Sequence, residues 1–372
     1  MRIVIFCHSL VSDWNHGNAH FIRGVVAELM HRGHNVSVYE PIAGWSLTHL
    51  LADAGPTAVD RFQRAFPTLK SRMVDLDRLP LDEILDDVDL VIVHEWMPHD
   101  VVERIGRHRA RVGRYTLLFH DTHHRSVTDV EAMAGYRLEH FDGVLAFGEV
   151  IRERYVRYGW SRRAWTWHEA ADVRTFMPRP DVAADRDLVW IGNWGDDERT
   201  TELHAYLMEP VRSLGLTATV HGVRYPASAL RALALAGVTY GGWLPNYEAP
   251  RAYAHHRMTV HVPRGPYVRA LPGVPTIRVF EALACGIPLV SLPWCDVEGL
   301  FTPGADFLVA ETPERMQAHL RALREDADLR RALAAHGLAT IHRKHTCAHR
   351  VDRLLSIVRE IAQHTCEEAV AP

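Results

Sequence analysis

One carboxylate stands out because of the residues around it. Glu281 lies within residues 275–292, PTIRVFEALACGIPLVSL, where most neighbours are apolar or small. Pro275 and Thr276 favour the start of a short helix. A lone carboxylate in a buried helix is costly unless it is paired. Two ribose hydroxyls would pair it, and the free N–H groups at the helix start would then meet a phosphate. The alternative is a structural salt bridge between Glu281 and Arg278.

Two further strings raise the question of a metal ion. HDTHH at residues 120–124 has histidine spacings that suit zinc only if the loop folds back, and no Cys or Glu lies close by in the sequence. Asp75 and Asp77 form an Asp-x-Asp string, but they lie far in sequence from Glu281. We therefore predict no metal site.

Arginines are concentrated in one predicted crossover helix. These basic residues are Arg104, Arg107, Arg109, Arg111 and Arg114. Apolar residues between them would face inward, so a solvated helix face explains the arginines. The alternative is weak peripheral docking to an anionic membrane, or contact with a phosphate-bearing partner.

The elements that would position these residues form two series. Buried strands of the first series are predicted at residues 2–6, 36–39, 90–93, 115–119 and 144–147. Strands of the second series are predicted at residues 188–191, 217–221, 258–262 and 288–291. Helical segments separate the strands, the clearest of them at residues 277–285. The predicted fold class is therefore α/β, with two facing Rossmann-like domains, parallel sheets and a ligand cleft at the carboxyl ends of the strands.

The boundaries follow from where the strand pattern stops. We place the N-terminal domain at residues 1–175 and a proline-containing linker at 176–187. The second domain occupies 188–345, and a C-terminal helix at 346–372 is expected to pack back on the first domain. The charged, helical C-terminus begins near residue 313.

Composition excludes several classes of protein. The chain has 372 residues, 47% hydrophobic and 24% charged, as in globular proteins. A formal net charge of -4 gives no basic excess, so we predict no nucleic-acid partner. Five scattered cysteines without a CxxC pair predict reduced thiols and a cytoplasmic location. No apolar run is long enough to span a membrane, and no N-terminal run is typical of a signal peptide.

A nicotinamide-dependent oxidoreductase is also built from Rossmann-like domains. Its fingerprint is a G-x-G-x-x-G turn after the first strand, because the glycines let the backbone approach a pyrophosphate. Residues 7–18, CHSLVSDWNHGN, follow the first predicted strand and lack that pattern. The sequence therefore argues against this class.

The motif around Glu281 resembles a known family signature. Residues 275–292 are similar to the FEA-x-A-x-G-x-P signature of GT-B glycosyltransferases of the group 1, family-4-like set, closest to the spore-maturation-protein-like (CgeB-like) branch. GHNV at 33–36 resembles the RGHEV that follows the first helix. WHEAAD at 167–172 and FMP at 176–178 resemble the interdomain segment, and DLVWIGNW at 187–194 resembles the start of the nucleotide domain. The resemblance extends over nearly the whole chain.

This resemblance implies a transferase. It would move a hexose-type sugar from a UDP- or GDP-linked donor to an acceptor that is a glycan, a lipid, a protein or a small molecule. No cofactor is implied, and the reaction is expected to be metal-independent. In this fold a helix N-terminus and cationic side chains stabilise the charge that develops on the leaving diphosphate.

The resemblance also implies a donor site. The implied residues are Glu281, Arg278, Ile277, Thr276, Arg199, Gly192, Asn193, Gly195, Gly17 and Asn18. Glu281 would hold the ribose, and the start of its helix would meet the diphosphate. The glycines would let the backbone approach the phosphates or the sugar. Arg199 would neutralise phosphate charge, or else be an ordinary surface arginine.

Catalytic residues are implied in the N-terminal half. His120 matches the histidine that contacts the donor sugar near the reacting carbon, and Asp121 follows it. If the reaction inverts the anomeric configuration, a base is needed near the acceptor, and the candidates are Asp13, His16, His20 and Asp121. If it retains the configuration, no such base is needed.

One position departs from the family pattern. Members of the larger family often carry a second acid eight residues before the ribose-binding acid, and Gly273 occupies that position here. The donor sugar would then be held differently, or by backbone groups of residues 271–274. Two alternatives therefore stay open, a nucleotide-sugar 2-epimerase on the same fold and a non-catalytic sugar-nucleotide-binding module.

Overall fold

The chain folds into two compact units. The computed structural model describes residues 1–195 and 197–370, with side chains described as far as His364. The first unit comprises Met1–Glu169 together with the C-terminal helix from Cys347, and the second unit is Ala170–Thr346. The predicted linker at 176–187 lies inside the second unit.

The elements of the first unit alternate as the sequence predicts. Its strands are β1 (Arg2–Phe6), β2 (Asn35–Pro41), β3 (Ser71–Val74), β4 (Leu90–His94), β5 (Thr116–Asp121), β6 (Gly143–Ala146) and β7 (Ala164–Thr166). Its helices are α1 (Ala19–His31), α2 (Trp45–Ala54), α3 (Thr57–Ala65), α4 (Leu81–Ile84), α5 (His99–Val112), α6 (Arg125–Thr128), α7 (Val130–Ala134), α8 (Glu149–Arg157) and the C-terminal α17 (Cys347–Val370).

The first sheet is parallel and doubly wound. Its strand order is β3-β2-β1-β4-β5-β6-β7. β1 pairs in parallel with both β2 and β4, so the order reverses at β1. In such sheets a crevice opens beyond the carboxyl ends of the strands at this reversal. The residues that follow β1 and β4 are therefore placed where a ligand would bind.

The C-terminal helix completes the first unit. Arg32, just after α1, donates to the Asp352 carboxylate and, at 3.1 Å, to the Ala348 carbonyl of α17. On β7, the Trp165 indole N–H donates to Glu360 of the same helix at 3.1 Å. These contacts tie the end of the chain to elements built from its beginning.

The second unit repeats the plan. Its strands are β8 (Arg186–Ile191), β9 (Ala218–His221), β10 (Val238–Tyr240), β11 (His256–His261), β12 (Leu289–Ser291) and β13 (Leu308–Val309). Its helices are α9 (Thr200–Leu203), α10 (Glu209–Leu214), α11 (Ala227–Leu235), α12 (Ala249–Ala254), α13 (Gly265–Ala270), α14 (Ile277–Ala284), α15 (Pro313–Glu325) and α16 (Ala327–Lys344). A π-helical segment, His204–Met208, joins α9 to α10.

The second sheet is also parallel. Its order is β10-β9-β8-β11-β12-β13, so the reversal falls at β8. Leu188, Trp190, Met258 and Val260 of β8 and β11 are buried in one core with Leu320 of α15. The ends of the unit are joined, because Ala171 and Thr346 form an isolated parallel bridge.

The predicted fold class is confirmed: the protein is α/β with two parallel sheets and a helical C-terminus. The strands that the sequence did not predict are β3, β7, β10 and β13. β3, β7 and β13 have no fully buried residue and β10 has one, so they lack the apolar run that marks a central strand. Among the described helices, none combines the length and the apolar character that crossing a membrane requires.

Candidate functional site

In the second unit, the predicted donor-binding residues gather at the carboxyl ends of β8 and β11. The turn at residues 192–195 follows β8, and α13 and the start of α14 follow β11. These two strands are neighbours in the sheet at the point where the strand order reverses. The residues of the second unit that the sequence predicted as one donor site therefore lie at one edge of its sheet.

Glu281 is fully buried inside α14. The Asn246 amide donates to its Oε1 at 2.8 Å, and Arg278 forms an ion pair with its Oε2. The Arg278 side chain is 27% exposed. The salt bridge that the sequence left open as an alternative is thus present, and Asn246 adds a second partner from a distant part of the chain.

A histidine fixes the start of α14. His261 Nδ1 lies 2.9 Å from Ser291 Oγ, and its Nε2 lies 2.9 Å from Thr276 Oγ1. Ser291 donates its own hydroxyl proton to the Leu292 carbonyl, so His261 Nδ1–H is the donor to Ser291 and Nε2 accepts from Thr276. Burial lowers the pKa of His261 to about 3, which keeps the ring neutral. The Thr276 hydroxyl is thereby engaged, and the first N–H groups of α14 have no carbonyl partner within the helix.

Three arginines lie near one another at this edge. Arg199 donates to the Val262 carbonyl at 2.7 Å and to the Asn193 carbonyl, and its Nε has no partner. Burial lowers the pKa of Arg199 to about 10, with a further contribution from the neighbouring Arg264 and a smaller one from Arg278. Arg199 is therefore no ordinary surface residue. It is a buried cation, still protonated at neutral pH, with one N–H left unused.

The glycine turn after β8 is closely packed. The Gly192 carbonyl accepts from the Tyr225 hydroxyl at 2.7 Å, and a Cβ on Gly192 would lie 2.7 Å from the Trp190 ring. Asn193 Oδ1 accepts the Val223 N–H at 2.9 Å, which fixes the turn. Gly195 has φ +82°, a conformation that L side chains rarely adopt. The turn therefore requires glycine for steric reasons, whatever it binds.

Gly273 faces a carboxylate that comes from elsewhere in the chain. Its φ is +84°, and a Cβ built on it would lie 2.7 Å from Oε1 of Glu298. The place that an acidic side chain at position 273 would occupy is thus taken by Glu298. Sequence reasoning missed this residue because Glu298 lies 25 positions later, in an irregular segment.

In the first unit, the loop after β1 is held by two buried charges. Arg23 of α1 donates to the Leu10 and Val11 carbonyls, both at 2.8 Å, and forms an ion pair with Asp13 at 2.8 Å. Glu40 of β2 accepts the N–H of Leu10 at 2.6 Å. Asp13, a predicted base, is therefore engaged by Arg23. At the end of the same loop, the amide of the predicted donor residue Asn18 donates to Glu169 at 2.7 Å, and the adjacent Gly17 is partly exposed.

The predicted catalytic pair lies at the end of β5 with its side chains on opposite faces of the sheet. His120 is 4% exposed and packs against Trp167 and Phe21, with ring centroids 4.8 and 5.9 Å apart. Burial lowers its pKa to about 3. Asp121, on the other face, is fully buried and accepts the His123 N–H at 3.1 Å. His20 of α1 is also buried. The strand thus separates these two residues.

Glu95 is the unpredicted partner of Asp121. Glu95 follows β4, is fully buried, and accepts the Thr122 N–H at 3.3 Å. Burial and the neighbouring Asp121 raise the pKa of Glu95 well above its usual range. Glu95 holds a proton that it shares with Asp121, and the Tyr155 hydroxyl also faces the Asp121 carboxylate. The buried strand end at residues 90–94 was the only sequence signal for this pair.

The strings examined for metal binding have local roles. His124 Nδ1 lies 2.9 Å from Thr128 Oγ1, and Asp75 caps a short 3-10 turn by accepting the Asp77 N–H at 3.1 Å. Within the described part of the chain, no group of three or more His, Cys, Asp or Glu residues is arranged to hold a metal ion.

Comparisons with known proteins agree with this geometry. Residues 199–356 match the family described as "Glycosyl transferase-like". No curated protein sequence gives a significant match to the chain. The sucrose-phosphate synthase of Thermosynechococcus elongatus superposes with a TM-score of 0.67 at 14% identity, covering 98% of this chain and 100% of that one.

Two other similar structures were solved with nucleotides. Anabaena HepE, in complex with UDP and glucose, has a TM-score of 0.66 at 12% identity, covering 96% of this chain and 99% of its own. An α-glucosyltransferase in complex with UDP and a 13-mer DNA has a TM-score of 0.68 at 12% identity, with the same two shares. The chain therefore has the GT-B fold of these glycosyltransferases, and its residues 199–356 match the glycosyl transferase-like family.

Proposed function

We propose that this protein is a metal-independent glycosyltransferase that takes a hexose-type sugar from a UDP-sugar. The observation that supports this most is the buried cation Arg199, whose neighbours are Arg264, paired with Glu198, and Arg278, paired with Glu281 in α14. Cations and unpaired helix N–H groups at the carboxyl edge of a parallel sheet bind phosphate groups. The UDP named in the similar structures has the diphosphate that this arrangement fits. The finer assignment to the spore-maturation-protein-like branch stays a prediction.

The same groups account for the chemistry. When the bond between the sugar carbon and the β-phosphate oxygen breaks, negative charge grows on the diphosphate, and a new bond forms from the sugar carbon to an acceptor oxygen. The proton of the acceptor hydroxyl passes to the leaving diphosphate if the reaction retains the anomeric configuration, or to a protein base if the reaction inverts it. Arg199, with its unused Nε–H, and the N-terminus of α14 stabilise the developing charge. Positive charge that a divalent ion supplies in other transferases is here supplied by the protein.

Glu281 is the proposed ribose-binding acid, and it must be uncovered before it can bind a ribose. Its Oε1 accepts from the Asn246 amide and its Oε2 pairs with Arg278. The side chain is also fully covered. Ribose binding therefore requires the segments that cover Glu281 to move, and Asn246 is the partner whose hydrogen bond the ribose would replace.

The proposed acceptor is a glycan, a lipid, a protein or a small molecule. One similar structure contains a 13-mer DNA, so nucleic acid is a class of partner that the proposal has to consider. The net charge of -4 still argues against DNA for this chain, since phosphate-backbone binding requires a basic surface.

The test is a thermal-shift screen followed by a donor assay. UDP should raise the melting temperature because it binds the folded state. UDP-glucose, and then UDP-sugars of other hexoses, should be hydrolysed slowly without an acceptor, and EDTA should leave this activity intact. Loss of activity on chelation, restored by Mg²⁺ or Mn²⁺, would overturn metal independence. Release of an epimerised sugar without an acceptor would instead identify a 2-epimerase.

A further inference from the structure

The segment that follows the edge strand β7 contacts two predicted site residues of the first unit. Its first residue, Trp167, packs against His120, with ring centroids 4.8 Å apart. Its third residue, Glu169, accepts a hydrogen bond from the Asn18 amide at 2.7 Å. His120 belongs to β5 and Asn18 precedes α1, so residues 167–169 are a feature that these two distant positions share.

The His120 ring is held largely by packing. Its Nε2 has no hydrogen-bond partner among the described residues. The aromatic neighbours of the ring are Trp167, Phe21 and His94, and these four residues line one small cavity. A side chain beside empty space is held by the neighbours that do touch it. Displacement of Trp167 would therefore allow the His120 ring to turn.

Glu169 determines the direction of the Asn18 amide. Because carboxylate oxygens accept hydrogen bonds, the Nδ2 of Asn18 faces Glu169 and its Oδ1 points away. That Oδ1 is buried and has no hydrogen-bond partner among the described residues. Both side chains belong to residues that are less than a tenth exposed. The orientation of Asn18 therefore depends on where Glu169 lies.

An arginine of the C-terminal helix α17 fixes this segment. Arg350 Nε donates to the His168 carbonyl at 2.8 Å, and its Nη2 donates to the Glu169 carbonyl at 3.2 Å. In return, the Arg350 carbonyl accepts the Trp167 indole N–H at 2.8 Å. Burial lowers the pKa of Arg350 to about 10, so the guanidinium is still charged at neutral pH. Hydrogen bonds from a charged donor are stronger than those between neutral groups.

The other side of the segment is bound to the sheet. The Trp167 N–H donates to the Ala146 carbonyl of β6 at 2.6 Å, and His168 Nδ1–H donates to the Phe147 carbonyl at 3.0 Å. Residues 167–169 therefore lie between the end of β6 and the first turns of α17. Only the second of these supports comes from the far end of the chain.

From these contacts we propose that Arg350 and Glu169 are positioning residues of the first unit. Arg350 sets the His120 ring through Trp167, and it sets the Asn18 amide through Glu169. Neither residue has to touch a substrate for this role. The inference rests on the proposed transferase function, in which His120 acts at the reacting carbon and Asn18 meets the donor.

The first test measures the hydrolysis of UDP-glucose. Arg350→Ala should lower kcat roughly tenfold or more, because a displacement of about 1 Å at a reacting group can cost about 10²-fold in rate. The KM should change less than kcat, and the stoichiometry of UDP binding, measured by calorimetry, should stay that of a fully folded sample. Arg350→Lys keeps a charged donor and should recover part of the rate.

The control variant is Arg32→Ala. Arg32 also joins α17 to the rest of the first unit, but its side chain donates to Glu28, Asp352 and the Ala348 carbonyl rather than to residues 167–169. This variant should lose stability and keep the wild-type kcat. A lower kcat in Arg350→Ala than in Arg32→Ala therefore reports positioning and not the loosening of α17.

The second test reads the positions of the side chains without any enzyme assay. Diethyl pyrocarbonate modifies accessible neutral imidazoles, and mass spectrometry identifies the modified residue. His120 should be protected in the wild type and in Arg32→Ala but modified in Arg350→Ala, whereas the buried His261 of the second unit should stay protected in all three. Glu169→Ala should speed amide hydrogen exchange in residues 15–20 and leave His120 protected.

Two results would overturn the inference. One is a kcat of Arg350→Ala equal to that of Arg32→Ala, and the other is equal protection of His120 in these two variants. If Arg350→Ala does not fold, Arg350→Lys and Glu169→Ala provide the same comparison. Failure of the proposed transferase function gives a different result, a wild type that neither binds UDP nor hydrolyses UDP-glucose, and the labelling experiment then decides the positioning role alone.

Discussion

The role of Glu281 leads to the sharpest prediction, because the carboxylate has structural partners that a simple substitution would also disturb. Glu281→Ala removes the acceptor of the Asn246 amide and the counter-ion of Arg278. Breaking a fully buried pair costs about 3–5 kcal/mol. Since the Arg278 side chain is 27% exposed and keeps some hydration, we expect a loss of about 2–3 kcal/mol.

That loss of stability should lower the melting temperature of the variant without ligand. For a domain of this size, 1 kcal/mol corresponds to a change of about 2–4 °C in melting temperature, so the variant should melt roughly 4–12 °C lower without ligand. Saturating UDP, at about 100 times its Kd, should add about 2.7 kcal/mol to the wild type, or roughly 5–11 °C. If Glu281 binds the ribose, most of this UDP-dependent increase should disappear in Glu281→Ala, measured by differential scanning fluorimetry against its own baseline.

A matched control separates stability from binding. Asp187 is also buried, pairs with Arg257 at 2.7 Å and accepts the Thr217 N–H at 3.0 Å, but it lies near the amino end of β8, at the opposite edge of the sheet. Asp187→Ala should lower the baseline by a similar amount and keep the full UDP effect. A full UDP effect in Glu281→Ala would refute the ribose contact. If UDP raised the melting temperature of neither variant, the loss of the UDP effect would be explained by the lower stability alone.

Three further predictions concern single residues. His120→Ala should leave the UDP shift in melting temperature nearly intact and lower the transfer rate by roughly 10²-fold or more, as expected for a general catalyst; an unchanged rate excludes a catalytic role. Burial raises the pKa of Glu95, so native Glu95 keeps its proton at pH values where the unfolded chain, above pH ~4.5, has lost it. The free energy of unfolding therefore declines as pH rises toward the pKa of native Glu95. Glu95→Gln does not titrate and should lose less melting temperature than wild type between pH 5 and pH 8; equal losses would show that native Glu95 is ionised. Gly273→Ala should cost about 1–3 kcal/mol in urea unfolding, because φ is +84° and Glu298 fills the space, and a neutral result would mean that the loop adapts freely.

The sequence predicted the central part of the fold well. Strands such as β1, β4 and β8 are short apolar runs, since both faces of a central parallel strand are covered. The edge strands β3 and β10 escaped prediction because their side chains are largely exposed, and pairing with a neighbour is what makes them strands.

In the candidate site, the sequence predicted only contacts between residues that are close to one another along the chain. The helix start at Thr276 and the Arg278–Glu281 pair are contacts between near neighbours, and both were visible in the motif. Asn246 and His261 join the same site from other elements, and no spacing rule connects them to α14. Arg23 shows the same limit, because its engagement of Asp13 depends on how the loop after β1 closes.

The bridge between Ala171 and Thr346 has a consequence for how the chain is made. The second unit is an uninterrupted insertion whose two ends meet, whereas the first unit needs α17, which is synthesised after the whole of the second unit. During synthesis the inserted unit has all its residues before the host unit does. The same topology means that residues 170–346 are the natural fragment to excise, and that a short peptide joining residue 169 to residue 347 would reconnect the host.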